Sequence, residues 1–168
     1  MLLGGQKKAY RTMYESFIPV AKENLFFRPM TVGDHDILIS GVVTKSAGTD
    51  ARLNPTLEHL TCFTGGMLAI AGKIFNRPED VIDGKKLTDG CVWAYRSTIT
   101  GIMPETFTAI PCESREKCEW DEEKWYEAVD KWSGQPSNGN KELIREKIQS
   151  QQLSPGYAFV NDGRYLLR

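Results

Sequence analysis

The chain has 168 residues, of which 40% are apolar and 26% charged, a composition typical of one ordinary globular domain or of part of a larger one. Lys plus Arg number 21 and Asp plus Glu 22, so the net charge of −1 provides no basic surface for nucleic acid or for an acidic membrane. No apolar run is long enough to span a bilayer.

The first third of the chain predicts one amphipathic helix, a short strand and a polar loop. Residues 6–25 carry apolar side chains at helical spacing, and Pro19 is expected to kink this helix. Residues 37–44 predict a strand between glycine turns, and residues 45–56 predict a loop. The apolar face of the helix consists of Tyr10, Met13, Tyr14, Phe17, Ile18 and Ala21.

The middle of the chain predicts two neighbouring helices followed by an extended segment. Residues 61–75 lack a polar face, which is typical of a helix buried on most sides. The second helix begins near Pro78 with acidic residues behind it, ends at Gly101, and is followed by extended residues 102–110. In the first helix, the residues small enough for another backbone to approach are Gly65, Gly66, Ala69 and Gly72; in the second, one face carries Leu87, Cys91, Ala94 and Tyr95.

The last third predicts two helices and a hairpin. The helices cover residues 121–132 and 141–153, with a polar loop at 133–140 between them. Residues 156–167 predict two strands around the Asp162-Gly163 turn. Because the chain stops at Arg168 directly after an apolar strand, we expect it to be cut from something longer.

Four cysteines leave two interpretations open, two disulfides or four buried thiols; their spacing and the presence of only two histidines disfavour a zinc site. Cys62 and Cys91 lie on neighbouring helices, where a bridge and two free thiols are both compatible with the pattern. Cys112 and Cys118 flank a charged loop, which favours a local disulfide. Disulfides require an oxidising compartment, whereas a start without a signal peptide by itself indicates a cytosolic protein. A mature protein that begins before Met1 would reconcile the two.

Few residues suggest chemistry by themselves. His59 and Glu105 stand at segment ends, where side chains reach a cleft, although residues of this kind are more often a structural histidine and a solvated loop acid. Residues 66–73 do not fit a phosphate-binding loop, because the spacing is wrong and Ile74 replaces the magnesium-binding hydroxyl. Residues 121–123 are a solvated helix start rather than a calcium loop. Tryptophans at helical spacing favour a core role over a sugar cleft: Trp93, Trp120, Trp125 and Trp132.

Four segments in a fixed order together resemble the class I α-1,2-mannosidases, glycoside hydrolase family 47. Residues 59–66, His-Leu-Thr-Cys-Phe-Thr-Gly-Gly, look like the family's H-L-x-C-F-x-x-G segment, and Cys91 falls where its second disulfide cysteine is expected. Residues 100–105, Thr-Gly-Ile-Met-Pro-Glu, are similar to its T-G-L-x-P-E segment. Residues 161–168 look like the opening of its Y-x-L-R-P-E segment. The loop between Cys112 and Cys118 is most similar to fungal members, and the resemblance runs through nearly the whole chain.

The resemblance implies an all-α dominated fold, part of an (α/α)7 barrel with short β-hairpins between the helices, and calcium-dependent, inverting hydrolysis of α-1,2-linked mannose from high-mannose N-glycans. It implies a Cys62–Cys91 disulfide, and His59, Glu105 and Arg168 facing the mannose pocket. It also implies a monomer of the secretory pathway, in the ER or Golgi or secreted, with any membrane anchor outside this chain.

The departures from the family's pattern matter as much as the matches. The segment with an essential acid belongs before Met1, the glutamate of R-P-E belongs two residues after Arg168, and the calcium-binding threonine lies near the family's C-terminus. We therefore assign no catalytic residue and no metal ligand within this chain, and we expect residues 1–168 to be a partial catalytic domain, truncated at both ends and inactive alone.

Two other hypotheses stay open. The parent protein could be a lectin-like mannosidase homologue that binds misfolded glycoproteins for ER degradation, but that branch generally lacks the Cys62/Cys91 pair. Alternatively, the chain is a standalone helical interaction module, which cooperative unfolding of the isolated chain would support. We expect the opposite, because an open piece of a barrel leaves large apolar faces unburied.

Overall fold

The structure, a computed structural model, describes residues 7–98, 100–132, 140–150, 157–159 and 165–168. The described helices are α1 (Lys8–Asn24), α2 (Phe63–Ile74), α3 (Pro78–Arg96), α4 (Glu122–Trp132) and α5 (Lys141–Ser150). The described strands are β1 (Phe26–Phe27), β2 (Ile39–Ser40), β3 (Val42–Thr44), β4 (Arg52–Asn54), β5 (Thr56–Glu58), β6 (Thr106–Thr108), β7 (Tyr157–Phe159) and β8 (Tyr165–Leu167). A short 3₁₀ helix, His59–Cys62, joins β5 to α2.

The strands form three small sheets. β1 pairs with β2 and β3 with β4, both antiparallel. The third sheet has the order β5-β6-β8-β7, in which β6 and β8 are parallel and the other neighbours are antiparallel. This four-stranded sheet brings together segments that are far apart in sequence, because β6 lies between β5 and the C-terminal hairpin.

Each face of the four-stranded sheet covers a separate core. One core contains Leu57 and Phe107 from the strands together with Ala94 of α3. The opposite core contains Leu166 of β8 with Trp125 and Val129 of α4 and Ile144 of α5. A third core lies under α1, and its buried members are Ile18, Ala21, Phe26, Leu38, Leu68 and Leu87.

Helices α2 and α3 pack closely because glycines face each other where the two backbones meet. A Cβ added to Gly65 would lie 2.9 Å from the Gly84 carbonyl oxygen and 2.5 Å from Thr88 Oγ1. A Cβ on Gly84 would lie 2.8 Å from the Ala69 nitrogen, and one on Gly72 2.8 Å from Val81. The predicted backbone approach is therefore confirmed for Gly65, Ala69 and Gly72.

Gly65 and Gly66 provide a matched test of this contact, because they are neighbours on one helix and a Cβ on Gly66 would meet nothing within 4 Å. We expect Gly65→Ala to lower the free energy of unfolding by about 1–3 kcal/mol through overpacking. Gly66→Ala is expected to raise it by about 0.5–1 kcal/mol through helix propensity. Urea unfolding of both variants measures the difference, and equal effects would contradict the close packing.

A buried carboxylate joins α1 to the start of α3. Asp80 is fully buried, accepts hydrogen bonds from Tyr14 Oη at 2.8 Å and Arg77 Nε at 2.6 Å, and pairs with Lys22 Nζ at 2.6 Å. Burial by itself would raise the pKa of Asp80, but hydrogen bonds from Arg77, Lys22 and Tyr14 outweigh it and hold the pKa below its usual value. Lys22 also pairs with Asp83 at 2.6 Å, so the network spans two turns of α3.

The apolar residues of α1 and α2 are less buried than their patterns predict. In α1 the helix runs through Pro19, but from the predicted apolar face only Ile18 and Ala21 are fully buried. The prediction that residues 61–75 are buried on most sides is wrong, because α3 covers the small-residue side of α2 and leaves the opposite side open. The exposed large apolar side chains of the two helices are Tyr10, Met13, Phe17, Val20, Phe63, Met67, Ile70 and Ile74.

Two local predictions also need correction. The predicted loop at residues 45–56 contains β4 and the start of β5, because pairing with β3 and β6 imposes extended backbone on a mostly polar segment. The second helix of the middle segment ends at Arg96, before Gly101. Ser97 and Thr98 hydroxyls donate to the carbonyls of Trp93 and Tyr95 and so terminate it, whereas Gly101 lies in the following turn with φ +67°.

The C-terminal predictions agree with the described residues. α4 and α5 fall within the two predicted helices, and β7 pairs with β8 as the predicted hairpin. Three predicted features lie wholly or partly outside the described residues: residues 133–139 of the predicted loop, the last helix beyond Ser150, and the Asp162-Gly163 turn.

Candidate functional site

His59 and Glu105 lie together at one end of the four-stranded sheet. β5 and β6 pair through Glu58 and Thr106, and the ladder continues by one step, where the His59 N–H donates to the Glu105 carbonyl oxygen at 2.7 Å. His59 is half-buried and Glu105 is exposed. Because side chains alternate along a strand, both residues fall on the face that carries Leu57 and Phe107, the face covered by α3.

Two links fasten the 3₁₀ helix to α3 beside this pair. Cys62 and Cys91 form a disulfide with Cα atoms 5.9 Å apart. His59 Nε2 lies 2.6 Å from Tyr95 Oη, with the two rings edge to face at 5.9 Å between centroids. The two links are one helical turn apart on each element, so the orientation of His59 is fixed relative to α3.

Arg168 occupies a different place. β8 runs parallel to β6, with Tyr165 opposite Phe107, so Arg168 lies five residues beyond the level of Glu105, about 16 Å along the strands at about 3.3 Å per residue. Its guanidinium lies over the Trp125 ring, 4.9 Å from the centroid, on the face of the sheet that α4 covers. The structure thus brings His59 and Glu105 together and separates Arg168 from them; that all three face mannose stays a prediction.

The second disulfide, Cys112–Cys118, closes a loop that two arginines hold against the rest of the fold. Arg28 donates to the carbonyls of Arg115 and Glu116, both at 3.0 Å, and to the Asp34 carboxylate at 2.7 Å. In return, Arg115 donates to the Lys22 and Phe26 carbonyls, at and just beyond the C-terminal turn of α1. Both disulfides raised by the sequence are therefore formed, and no described cysteine is free.

The tryptophans belong to the cores, as their spacing predicts. Trp125 is buried, and Trp120 lies against it with ring centroids 6.3 Å apart. Trp93 packs edge to face on Phe107 in the other core, and Trp132 is partly buried against the α4 side.

Two open cavities lie beside these cores. One, of about 520 Å³, separates α3 from residues 35–37 and is lined by His35, Asp36, Ile37, Asp89, Val92, Trp93, Arg96 and Ser97. The other, of about 680 Å³, lies between β4 and α4. Neither is lined by His59, Glu105 or Arg168. The first one's carboxylates are already paired, Asp36 with Lys86 and Asp89 with Lys85.

Within the described ranges, no group of three or more His, Cys, Asp and Glu side chains is placed to hold a metal ion. None of the helices in those ranges is long and apolar enough to cross a membrane.

Comparison with known protein families identifies the family of this chain. The profile described as Glycosyl hydrolase family 47 matches residues 1–168. The chain belongs to glycosyl hydrolase family 47. The matched residues include His59, Cys62, Cys91 and Glu105.

Fungal relatives agree with this membership. A probable mannosyl-oligosaccharide α-1,2-mannosidase 1B of Aspergillus niger is 45% identical over 59 residues, which cover 35% of this chain and 12% of the relative. A mannosyl-oligosaccharide α-1,2-mannosidase of Coccidioides posadasii is 38% identical over 104 residues, 62% of this chain and 18% of the relative. The family 47 chain therefore spans less than a fifth of these relatives in the matched regions.

A solved structure, the α-1,2-mannosidase from Trichoderma reesei, matches with a TM-score of 0.51 at 22% identity, over 61% of this chain and 20% of that one. At this identity the match concerns the fold. Together with the described elements, it confirms the predicted fold class of helices joined by short strands, as in the (α/α)7 barrel of family 47.

Sequence reasoning missed two features of the site. The sequence places Tyr95 on a shared helix face, and nothing local indicates that its hydroxyl reaches His59, 36 residues earlier. Spacing offers one signal. Residues 59 and 62 lie one turn apart, and so do residues 91 and 95, so a Cys62–Cys91 bridge brings residues 59 and 95 near each other. The role of Arg28 and Arg115 in holding the loop has no local signal, because the contacts that link them to the other segment are to main-chain carbonyls about 90 residues away.

Proposed function

We propose that the protein containing this chain is a mannosyl-oligosaccharide 1,2-α-mannosidase, which removes α-1,2-linked mannose from high-mannose N-glycans with inversion. The single observation that supports this most is the family match over residues 1–168, within which His59 and Glu105 meet at one sheet end. Inversion requires two carboxyl groups about 6.5–9.5 Å apart with a water between them. In this proposal those acids come from chain outside residues 1–168, so the chain alone is inactive.

In this proposal His59 and Glu105 bind mannose rather than cleave it. An imidazole and a carboxylate offer a donor and an acceptor for the paired hydroxyls of a sugar ring. Their backbones are hydrogen-bonded to each other at 2.7 Å, and the adjacent disulfide immobilises the His59 side of the pair, so both groups are held in place before a ligand arrives.

Calcium belongs to the same proposal but to another part of the domain. In this proposal the ligating threonine lies outside this chain. Bound calcium would supply a hard cation that orients sugar hydroxyls. No step assigned to His59 or Glu105 depends on it.

The exposed apolar sides of α1 and α2 fit a chain that is completed by further helices. Eight large apolar side chains are exposed there, and clusters of this kind are usually covered in a finished domain. A location in the secretory pathway is supported by the two disulfides, which persist in oxidising compartments. The lectin-like alternative is disfavoured because Cys62 and Cys91, which that branch generally lacks, are paired here.

Substitution of the two site residues in the complete protein tests the proposal. We expect His59→Ala and Glu105→Gln each to lower kcat/KM for a Man9 glycan by about 10- to 100-fold, the loss typical of a hydrogen bond to a charged or strongly polar group. Mannose release with calcium present is the measurement.

The matched controls are His35→Ala, which removes the other histidine, and Glu113→Gln, which removes an acid that is 91% exposed. Both controls should retain full activity. A complete protein that binds the glycan but releases no mannose would favour the lectin-like alternative.

A further inference from the structure

His59 and Tyr95 make a short side-chain contact at the end of the four-stranded sheet. The two side chains meet at 2.6 Å, across elements that the Cys62–Cys91 disulfide joins one turn away. The backbone of Tyr95 is itself held, since its carbonyl oxygen accepts the Thr98 hydroxyl at 3.0 Å in the last turn of α3. The Tyr95 hydroxyl therefore has little freedom to leave the imidazole.

Acid–base strength determines the direction of this hydrogen bond. A neutral imidazole has one N–H and one bare nitrogen, whereas a phenol can donate or accept. An imidazole nitrogen is a better hydrogen-bond acceptor than a phenol oxygen, and a phenol O–H is a better donor than an imidazole N–H. For a neutral imidazole this order favours Tyr95 Oη as the donor to His59 Nε2, which leaves the ring proton on Nδ1.

This assignment leaves a defined group for a ligand. Within the described part of the chain His59 makes no second side-chain hydrogen bond, so its Nδ1–H remains a donor that is not already used. The neighbouring Glu105 carboxylate is an exposed acceptor. A sugar hydroxyl that accepts from Nδ1–H and a second hydroxyl that donates to the carboxylate would satisfy both groups.

We propose that Tyr95 is a positioning residue that holds His59 as the Nδ1–H tautomer, and so presents a proton donor to a mannose hydroxyl oxygen. This inference rests on the proposed function for its ligand, but the tautomer itself is a property of this chain. Tyr95 acts through His59 and has no contact with substrate in this proposal.

Nitrogen NMR of the imidazole rings tests the tautomer without any activity. In the complete protein, the ring signals of His59 and His35 are assigned as those that disappear in the His59→Gln and His35→Ala variants. At pH 8 we expect the His59 Nε2 resonance at the position of a bare ring nitrogen and Nδ1 at that of a protonated one. In Tyr95→Phe, which keeps the ring packing, the two resonances should move towards each other or exchange.

Tyr10→Phe is the control, because Tyr10 is an exposed tyrosine on a different helix, α1. It should leave the His59 spectrum unchanged, and His35 should be unchanged in both variants. An oxidised Cys62–Cys91 bridge in each sample shows that the two elements remain joined. A wild-type His59 protonated on Nε2, or an unchanged pattern in Tyr95→Phe, would overturn the proposal.

The same variant in the complete protein separates this inference from the proposed function. Tyr95→Phe should lower kcat/KM by about fivefold, less than removal of His59, because one neutral hydrogen bond is lost while the imidazole remains. If His59 is the Nδ1–H tautomer but the complete protein releases no mannose, the proposed role of Tyr95 stands and the proposed mannosidase function is rejected. Full activity in Tyr95→Phe despite a changed tautomer would reject the catalytic importance of Tyr95.

Discussion

Replacing Cys62 and Cys91 together by serine is expected to lower the free energy of unfolding by about 3.6 kcal/mol, from the loop-closure entropy of a bridge across 29 residues. This bridge joins the 3₁₀ helix to α3 next to a core that contains Leu57 and Phe107. Urea unfolding of the oxidised complete protein, as wild type and as the double variant, measures the loss as a shift in the unfolding midpoint.

The Cys112–Cys118 bridge provides the matched comparison. It spans 6 residues, so the same relation predicts a loss of about 2.2 kcal/mol. The loop it closes is additionally fixed by Arg28 and Arg115. A larger loss for the short bridge than for the long one would contradict the view that Cys62–Cys91 is the main covalent brace of the fold.

Asp80→Ala is expected to lower the free energy of unfolding by about 3 kcal/mol, near the lower end of the cost of breaking a buried ion pair. The substitution leaves Tyr14, Lys22 and Arg77 without the carboxylate that joins them. The cost stays at the lower end because Lys22 keeps Asp83 and Arg77 keeps Glu79. Asp89→Ala is the control, since its pair with Lys85 is exposed and contributes about 0.5 kcal/mol.

The Asp80 network also has a definite pH dependence. Since the folded-state pKa of Asp80 is depressed, its contribution is complete above the unfolded pKa of 3.8 and is lost as pH falls through the folded value. The pKa values of Lys22 and Tyr14 are raised in the folded state. Their contributions to the free energy of unfolding are therefore complete below their unfolded-state pKa values and are lost in strong alkali. The stability gap between wild type and Asp80→Asn should stay constant from pH 5 to 8 and narrow below about pH 4. A gap that widens in acid would contradict the network.

Helices and the C-terminal hairpin could be predicted because their signals are local. α4 repeats apolar residues at Trp125 and Val129 behind an acidic first turn, and the sequence between β7 and β8 contains the dipeptide Asp162-Gly163, which predicts a hairpin. β4 could not be found this way, because only its pairing with β3 gives Arg52–Asn54 an extended form.

Burial was harder to predict than helix formation. The apolar composition of residues 61–75 indicates a helix correctly but cannot say how many neighbours it has. Only the glycine side of α2 meets α3, and Phe63 remains 76% exposed. The same limit applies to Asp80, since the sequence places an acid near the start of a helix but does not show that it is fully buried.

The candidate site was predictable as far as its motifs and no further. His59, Cys62, Cys91 and Glu105 lie in segments that resemble family motifs, and the expected Cys62–Cys91 disulfide is formed. That His59 and Glu105 lie side by side comes from the pairing of β5 with β6. The Tyr95 contact depends on how α3 lies against the 3₁₀ helix, which no local pattern encodes. The separation of Arg168 follows from the parallel pairing of β6 and β8, a long-range choice of the same kind.

Release of free mannose from a Man9 glycan in the presence of calcium is the most direct test of the central claim, that these 168 residues are one incomplete part of a family 47 mannosidase domain. The account predicts no release by the isolated, oxidised chain, and release of α-1,2-linked mannose by the complete protein, with kcat/KM lowered by His59→Ala to about 1–10% of its value. Mannose release by the isolated chain at an ordinary enzymatic rate would contradict the account.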